Sequence, residues 1–158
     1  MYYLDLNLDQ VLSKFFLEPN VIELVSKKDW ILAFSGGGDS TLALHILLYI
    51  HIQTNKERKL TLFYLDHNQK FSFFSNRKRQ LVFRETEKLL TNTPHLDFSF
   101  VKKELDVHKI AKKIKKSFEK TGSLLRRRYM HKLIQKNNNS IAVWAIVYLI
   151  GMKRYYFV

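Results

Sequence analysis

Three consecutive glycines flanked by serine, aspartate and serine form the stretch of this sequence best suited to chemistry. The stretch spans residues 35–40, after the apolar run 30–34 and before an apolar segment that begins at Thr41. These flanks are typical of a buried strand and a buried helix. Glycine lets the backbone turn sharply and bring its N–H groups close to an anion. A helix start adds unpaired N–H groups and the positive end of the helix dipole. The pattern therefore predicts a phosphate-binding loop.

The polar side chains of this loop fit the same chemistry. Serine hydroxyls can donate hydrogen bonds to phosphate oxygens. Asp39 can either hold Mg²⁺ against the phosphates or cap the helix. A glycine-rich turn with a serine cap is the structural alternative. The residues assigned to phosphate binding are Ser35, Gly36, Gly37, Gly38, Asp39 and Ser40.

The loop differs from two common phosphate loops and resembles a third. The G-x-x-x-x-G-K-[ST] loop requires a lysine after its last glycine, and this sequence has none there. The spacing of the glycines also differs from G-x-G-x-x-G. Ser-Gly-Gly-x-Asp-Ser instead resembles the pyrophosphate loop of the N-type ATP pyrophosphatases. That resemblance implies ATP and Mg²⁺ as ligands, with Asp39 as a metal-binding and catalytic residue. It also implies that a carbonyl oxygen is adenylated, pyrophosphate leaves, and a nucleophile displaces AMP.

Two later stretches are similar to the tRNA(Ile)-lysidine synthetases within that superfamily. The predicted strand 60–65 is followed by Asp66, His67 and an asparagine, similar to the family's [VN]-[DN]-H-G. The resemblance places Asp66 and His67 beside the adenosine. Arg128 and the tyrosine after it match the end of the family's E-x-x-A-R-x-x-R-Y, and Leu125 occupies the position of its earlier arginine. Either Arg126 or Arg127 must then substitute for that earlier arginine, or its role is lost. Arg128, together with Arg126, is the resulting catalytic candidate for binding phosphate or the activated cytidine.

The family resemblance implies one particular reaction. ATP adenylates the C2 oxygen of the wobble cytidine in an isoleucine tRNA with a CAU anticodon. The ε-amine of free lysine then attacks C2, which yields lysidine and AMP. Two alternatives stay open: another ATP pyrophosphatase that acts on tRNA, and a remnant that binds ATP or RNA without turnover.

Composition limits the other classes of function. The 158 residues contain no cysteine, which excludes disulfides, thiolate zinc sites, iron–sulfur clusters and cysteine nucleophiles. The net charge is +13, and residues 101–136 alone hold 13 Lys and Arg against 3 Asp and Glu. That excess favours a polyanionic partner such as tRNA. The longest apolar run, 141–150, is too short to span a bilayer. With no signal peptide recognisable at the start, we expect a cytoplasmic protein without a membrane partner.

Apolar runs alternate with helical patterns along the chain. Continuous apolar strands indicate an α/β fold, with a parallel twisted sheet covered by helices on both faces. The predicted strands are 30–34, 60–65, 96–101 and 141–150, and the predicted helices are 41–52, 77–90, 107–118 and 126–136. Ligands bind such sheets at the carboxyl ends of the strands.

The domain prediction has three parts. Residues 1–28 form a helical lead-in, residues 29–142 form the ATP-binding domain, and residues 143–158 form an atypical tail. The family motif expected next, [AG]-H-x-x-x-D-x-x-E-T, is absent. Back-translation from the third base of the Trp144 codon permits that motif at its usual spacing. We therefore expect a C-terminally truncated synthetase with a shifted-frame tail, and an unrelated buried strand is the alternative.

Overall fold

Strands and helices alternate along the computed structural model, which describes residues 23, 25, 27–67, 73–137, 139–147 and 153–157. Most of the lead-in predicted for residues 1–28 lies outside the described residues. The elements are β1 (Asp29–Ala33), α1 (Gly38–Thr54), β2 (Arg58–Asp66), α2 (Phe73–Thr91), β3 (Leu96–Glu104), α3 (Val107–Ile114), α4 (Phe118–Lys136), β4 (Ser140–Val147) and β5 (Lys153–Phe157). This alternation confirms the predicted α/β class.

The five described strands form one sheet in the order β3-β2-β1-β4-β5. The first four strands run parallel, and β5 pairs antiparallel with β4. β1 lies in the middle, with Leu32 paired to Leu62 on one side and to Val143 on the other. Its central residues are almost fully buried. The parallel sheet predicted from continuous apolar strands is therefore confirmed.

Helices cover both faces of the sheet. Leu32 belongs to a core cluster that includes Leu47 of α1 and residues of α2. Ile31, one residue earlier, belongs to a second cluster with Phe63 and with Met130 of α4. Adjacent residues of a strand point to opposite faces, so β1 contributes to both cores. This arrangement confirms the prediction of helices on both faces.

The order in which strands are added to the sheet changes direction at β1. The chain builds β1, β2 and β3 outward to one edge, then crosses back and places β4 on the other side of β1. Such a switch point opens a crevice at the carboxyl ends of the two strands, where ligands of open α/β sheets bind. The predicted phosphate loop leaves the carboxyl end of β1 and is therefore positioned at this crevice.

The largest differences from the predicted boundaries lie between residues 114 and 126. The helix predicted over 107–118 ends at Ile114, because Lys115 adopts the left-handed conformation with φ of 51°. A new helix begins at Phe118, where Ser117 is the N-cap and accepts a hydrogen bond from the backbone N–H of Lys120 at 3.3 Å. The apolar residues keep helical spacing across this break, so their spacing predicts one continuous helix. Spacing carries no information about the positive φ of Lys115.

The predicted tail begins inside the sheet. Val143 is 1% exposed, and the strand continues to Val147, while residues 148–150 lie outside the described residues. β5 then supplies the antiparallel edge strand. The shifted-frame hypothesis stays a prediction.

Among the described residues, no helix combines the length and the apolar composition that crossing a bilayer requires.

Candidate nucleotide-binding site

The predicted phosphate loop folds as a tight turn into the start of α1. Gly36 has φ of +74°, a conformation that side-chain-bearing residues rarely adopt. Gly37 is the N-cap of α1 and, without a side chain, leaves the first turn without a side-chain cap. Asp39 lies in that first turn and is not the N-cap residue. The proposed role of Asp39 as the helix cap is therefore not observed, and its role toward Mg²⁺ stays a prediction.

Serine side chains hold the loop in shape. The hydroxyl of Ser40 donates to the carbonyl oxygen of Gly37 at 2.9 Å, and it lies 3.2 Å from the hydroxyl of Ser35. The backbone N–H of Ser35 donates to Ser40 Oγ at 3.3 Å, and that of Gly37 donates to Ser35 Oγ at 3.3 Å. Ser40 is therefore committed to shaping the loop, and the amides of the first turn of α1 are the main donors left for an anion.

A small cleft opens beside this loop, with a volume of about 120 Å³. Its walls come from the loop, from the end of β2 and from α4. The residues that line it are Ala33, Phe34, Ser35, Asp39, Ser40, Phe63, Tyr64, Leu65 and Arg126. Clefts for drug-sized ligands usually measure about 300–1,000 Å³. A nucleotide would therefore place only part of itself here and extend along the open carboxyl edge of the sheet.

Arg126 is the arginine that α4 brings to this cleft. It lies four residues from Gly122 and four from Met130, on the stripe of α4 that faces the sheet. Partial burial lowers the pKa of Arg126, yet an arginine stays charged at neutral pH. Arg128, the other predicted catalytic arginine, is exposed and does not line the cleft. The i,i+4 spacing from Gly122 and Met130, which the structure shows to be buried, places Arg126 on this stripe and leaves Arg128 off it.

Asp66 and His67 follow each other but lie in different surroundings. Asp66 Oδ2 accepts a hydrogen bond from Lys102 Nζ at 3.0 Å, and Lys102 also pairs with Glu104. These two carboxylates raise the pKa of Lys102. Asp66 lines a second cleft of about 370 Å³, together with Arg79 of α2. Its carboxylate is thus part of an ion-pair network on the α2 side of the sheet edge.

His67 packs against α4 instead. Its ring meets Phe118 edge-on at 5.3 Å between centroids, and Phe118 stacks on His108 at 4.4 Å. Burial lowers the pKa of His67, as do the charges of Arg126, Arg79 and His108, while Asp66 opposes them. The lowered pKa disfavours the charged form of the imidazole, which lies close enough to Arg126 to be affected by its charge. No pattern in the sequence predicts these contacts with Phe118 and His108, since the residues are far apart in the chain.

The loop is also supported by α2. A side-chain carbon on Gly36 would lie 3.5 Å from atoms of Val82 and Phe83, and 3.8 Å from Arg79. Phe83 in turn packs edge-on against Phe34 at 5.3 Å. The turn is therefore fixed by packing as well as by hydrogen bonds, which is the preorganisation that an anion site needs.

Sheet order and loop position together define a doubly wound α/β protein with a candidate ligand site at its switch point. No family model matches the chain, and no curated protein matches it. Because unrelated functions share this class of fold, the function has to be argued from the site.

Proposed function

We propose that this protein is an ATP-dependent ligase that joins lysine to C2 of the wobble cytidine of an isoleucine tRNA through an adenylated intermediate. The single observation that carries the proposal is the loop at residues 35–40. It presents the first turn of α1, without a side-chain cap, at the switch point of the sheet, and it shares a cleft with Arg126. An uncapped helix start and a nearby guanidinium form a site for phosphate.

Different groups of the site would bind the phosphates of ATP and the Mg²⁺ ion. Gly38 and the residues after it supply backbone N–H groups, and Arg126 supplies a charged donor from the opposite wall. Mg²⁺ is usually held by one or two carboxylates together with substrate phosphates. Asp39 lines the cleft and provides such a carboxylate, so the residues present fit the ion. When bound there, Mg²⁺ neutralises charge on the departing pyrophosphate.

The other substrates follow from charge and from the resemblance. The excess of Lys and Arg in residues 101–136 suits the phosphates of tRNA. The protein would hold the cytidine oxygen in line with the α-phosphate, since positioning supplies much of the acceleration in such transfers. Free lysine must then attack as a neutral amine. The role of His67 beside the adenosine rests on the family resemblance, and the charge of Arg126 contributes to the lowered pKa of His67.

Incubation with ATP, Mg²⁺, radiolabelled lysine and an unmodified tRNA with a CAU anticodon tests the proposal. We expect label in the tRNA, lysidine at the wobble position, and exchange of labelled pyrophosphate into ATP that requires the tRNA. Asp39→Asn should abolish exchange while the protein stays folded by circular dichroism. Transfer of lysine without ATP, or full exchange by Asp39→Asn, would contradict the proposal.

Binding of ATP or RNA without turnover is the second candidate function. The absence of the family's [AG]-H-x-x-x-D-x-x-E-T motif after the fourth strand favours it. Saturable ATP binding without any pyrophosphate exchange would support this candidate. Exchange that requires tRNA but leads to no lysine transfer would instead indicate another ATP pyrophosphatase that acts on tRNA.

A further inference from the structure

A basic groove separate from the nucleotide cleft runs between the end of α3 and the start of α4. Its volume is about 530 Å³, and its lining includes Lys115, Lys116, Lys120 and Arg127 but no carboxylate. Lys115 adopts the left-handed backbone conformation that ends α3, and it lines the groove. The break between the two helices, which apolar spacing did not predict, therefore creates a concave surface with four positive charges.

Three basic residues near the groove are engaged with other side chains of the protein. Lys102 is paired with Asp66 and Glu104. Lys103 and Lys132 each lie 5.6 Å from the centre of the Tyr129 ring. In the part of the chain that the structure describes, the groove cations form no ion pair. Other cations of residues 101–136, such as Lys112 and Arg128, are also outside these ion pairs. The groove is distinguished by having four such cations along one concave surface, where one polyanion can contact all of them.

The groove also contains an apolar group. Leu124 is 48% exposed and lies among the cations, next to the hydroxyl-bearing Ser123. Phosphate contacts from lysine and arginine together with apolar contacts to sugars or bases are what RNA-binding surfaces combine. A membrane-binding helix would instead expose a broad apolar face. The apolar stripe of α4, with Met130 and Leu133, is packed on the sheet.

α4 places this groove and the nucleotide cleft on neighbouring sides of one helix. Arg127 lines the groove, and Arg126, the preceding residue, lines the cleft. Successive residues of a helix point about 100° apart, and a helix with its side chains is about 10 Å wide. A strand held in the groove would therefore lie about one helix width from the cleft.

We infer that the α3–α4 groove binds the phosphodiester backbone of the RNA whose target nucleotide enters the cleft. The inference rests on the proposed function for the identity of that RNA. It assigns the RNA contact to four of the cations in residues 101–136. The bound RNA would then cross α4, so that its target nucleotide enters the cleft beside Arg126.

The test is fluorescence anisotropy with a labelled 17-nucleotide hairpin RNA that carries a CAU loop. In Lys120→Gln/Arg127→Gln, the affinity should fall about tenfold at 100 mM salt. The slope of log affinity against log salt should become shallower by about 1.5, because two phosphate contacts are lost. The matched control is Lys56→Gln/Lys59→Gln, which removes the same charge at the amino end of β2. Both of these lysine side chains are exposed. The affinity of this control should change less than twofold.

Equal losses in the groove variant and the control would overturn the inference, since net charge alone would then explain binding. Wild-type protein that binds phosphatidylglycerol vesicles but not the hairpin would also overturn it, in favour of a membrane surface. ATP binding by the groove variant should match wild type, which shows that it is folded. Failure of the wild type to bind ATP, with groove-dependent RNA binding intact, would contradict the proposed function but not the groove.

Discussion

A methyl group on Gly122 of α4 would lie only 3.3 Å from Cε1 of His67, so the ring of His67 occupies the space that a side chain at position 122 would need. Glycine within a helix is less favourable than alanine by about 1 kcal/mol. The contact explains why this cost is tolerated: it lets His67, the residue after β2, pack directly on α4. It also packs the imidazole of His67 against α4, the helix that carries Arg126.

Gly122 and His67 should therefore be energetically coupled. In a His67→Ala background, Gly122→Ala should raise the free energy of unfolding by about 1 kcal/mol, because only helix propensity remains. In the wild-type background this gain should be lost or reversed by crowding against the imidazole. Urea unfolding of the four proteins measures the coupling, which should be at least about 0.5 kcal/mol. The same gain in both backgrounds would show that the contact has no energetic consequence.

The lowered pKa of His67 should make stability depend on pH in a defined direction. The unfolded chain takes up a proton at this residue near the ordinary histidine pKa of about 6.5, whereas the folded protein does so only at lower pH. The unfolded state therefore binds more protons as the pH falls below about 6.5, and the free energy of unfolding decreases down to the folded pKa. Arg126, Arg79 and His108 act against the charged form, and Asp66 acts for it.

His67→Asn should accordingly lose less stability than wild type between pH 7 and pH 5. Thermal unfolding at each pH gives the comparison. His45, whose pKa burial also lowers, is present in both proteins, so the difference between them isolates His67. Parallel pH profiles for the two proteins would contradict the assignment.

Two glycines of the loop should respond differently to alanine. Gly36→Ala places a side chain at φ of +74° and should lower the free energy of unfolding by about 1–2 kcal/mol. Its altered turn should also weaken ATP binding. Gly38→Ala meets no atom within 4 Å and lies at the start of α1, so stability should stay the same or rise by up to about 1 kcal/mol.

ATP affinity of Gly38→Ala should nevertheless fall, since the methyl group would occupy the open space proposed for a phosphate. Isothermal titration with Mg²⁺–ATP, alongside urea unfolding, separates the two effects. A stable Gly38→Ala protein with wild-type affinity, together with unchanged affinity in Gly36→Ala, would show that ATP does not bind at this loop.

The two arginines of α4 should differ in their effect on nucleotide binding. Arg126→Gln should weaken Mg²⁺–ATP binding about tenfold or more, because a hydrogen bond to a charged group contributes about 1.5–3 kcal/mol. Arg128→Gln removes the same charge from an exposed position outside the cleft lining, and we expect a much smaller loss. Titration of both variants at two salt concentrations makes the comparison. Similar losses would mean that only general charge attracts the nucleotide.

Local pattern predicted much of the fold. The apolar run around Ile31 identified a buried parallel strand, and the glycine stretch at residues 35–40 identified the turn that follows it. Both features leave a pattern in the local sequence, because a strand buried on both faces is continuously apolar and a sharp turn requires glycine. The break at Lys115 was not predicted, because the change to positive φ leaves no mark on apolar spacing.

The sequence by itself determined that a glycine-rich loop joins a buried strand to a buried helix, and that positive charge is concentrated in residues 101–136. Only the tertiary structure decided that Arg126 rather than Arg128 meets the loop, and that Asp66 and His67 join different neighbours. These choices depend on how α4 and α2 rotate and dock on the sheet. That docking is set by contacts between residues far apart in the chain, such as Gly122 with His67, which no local pattern records.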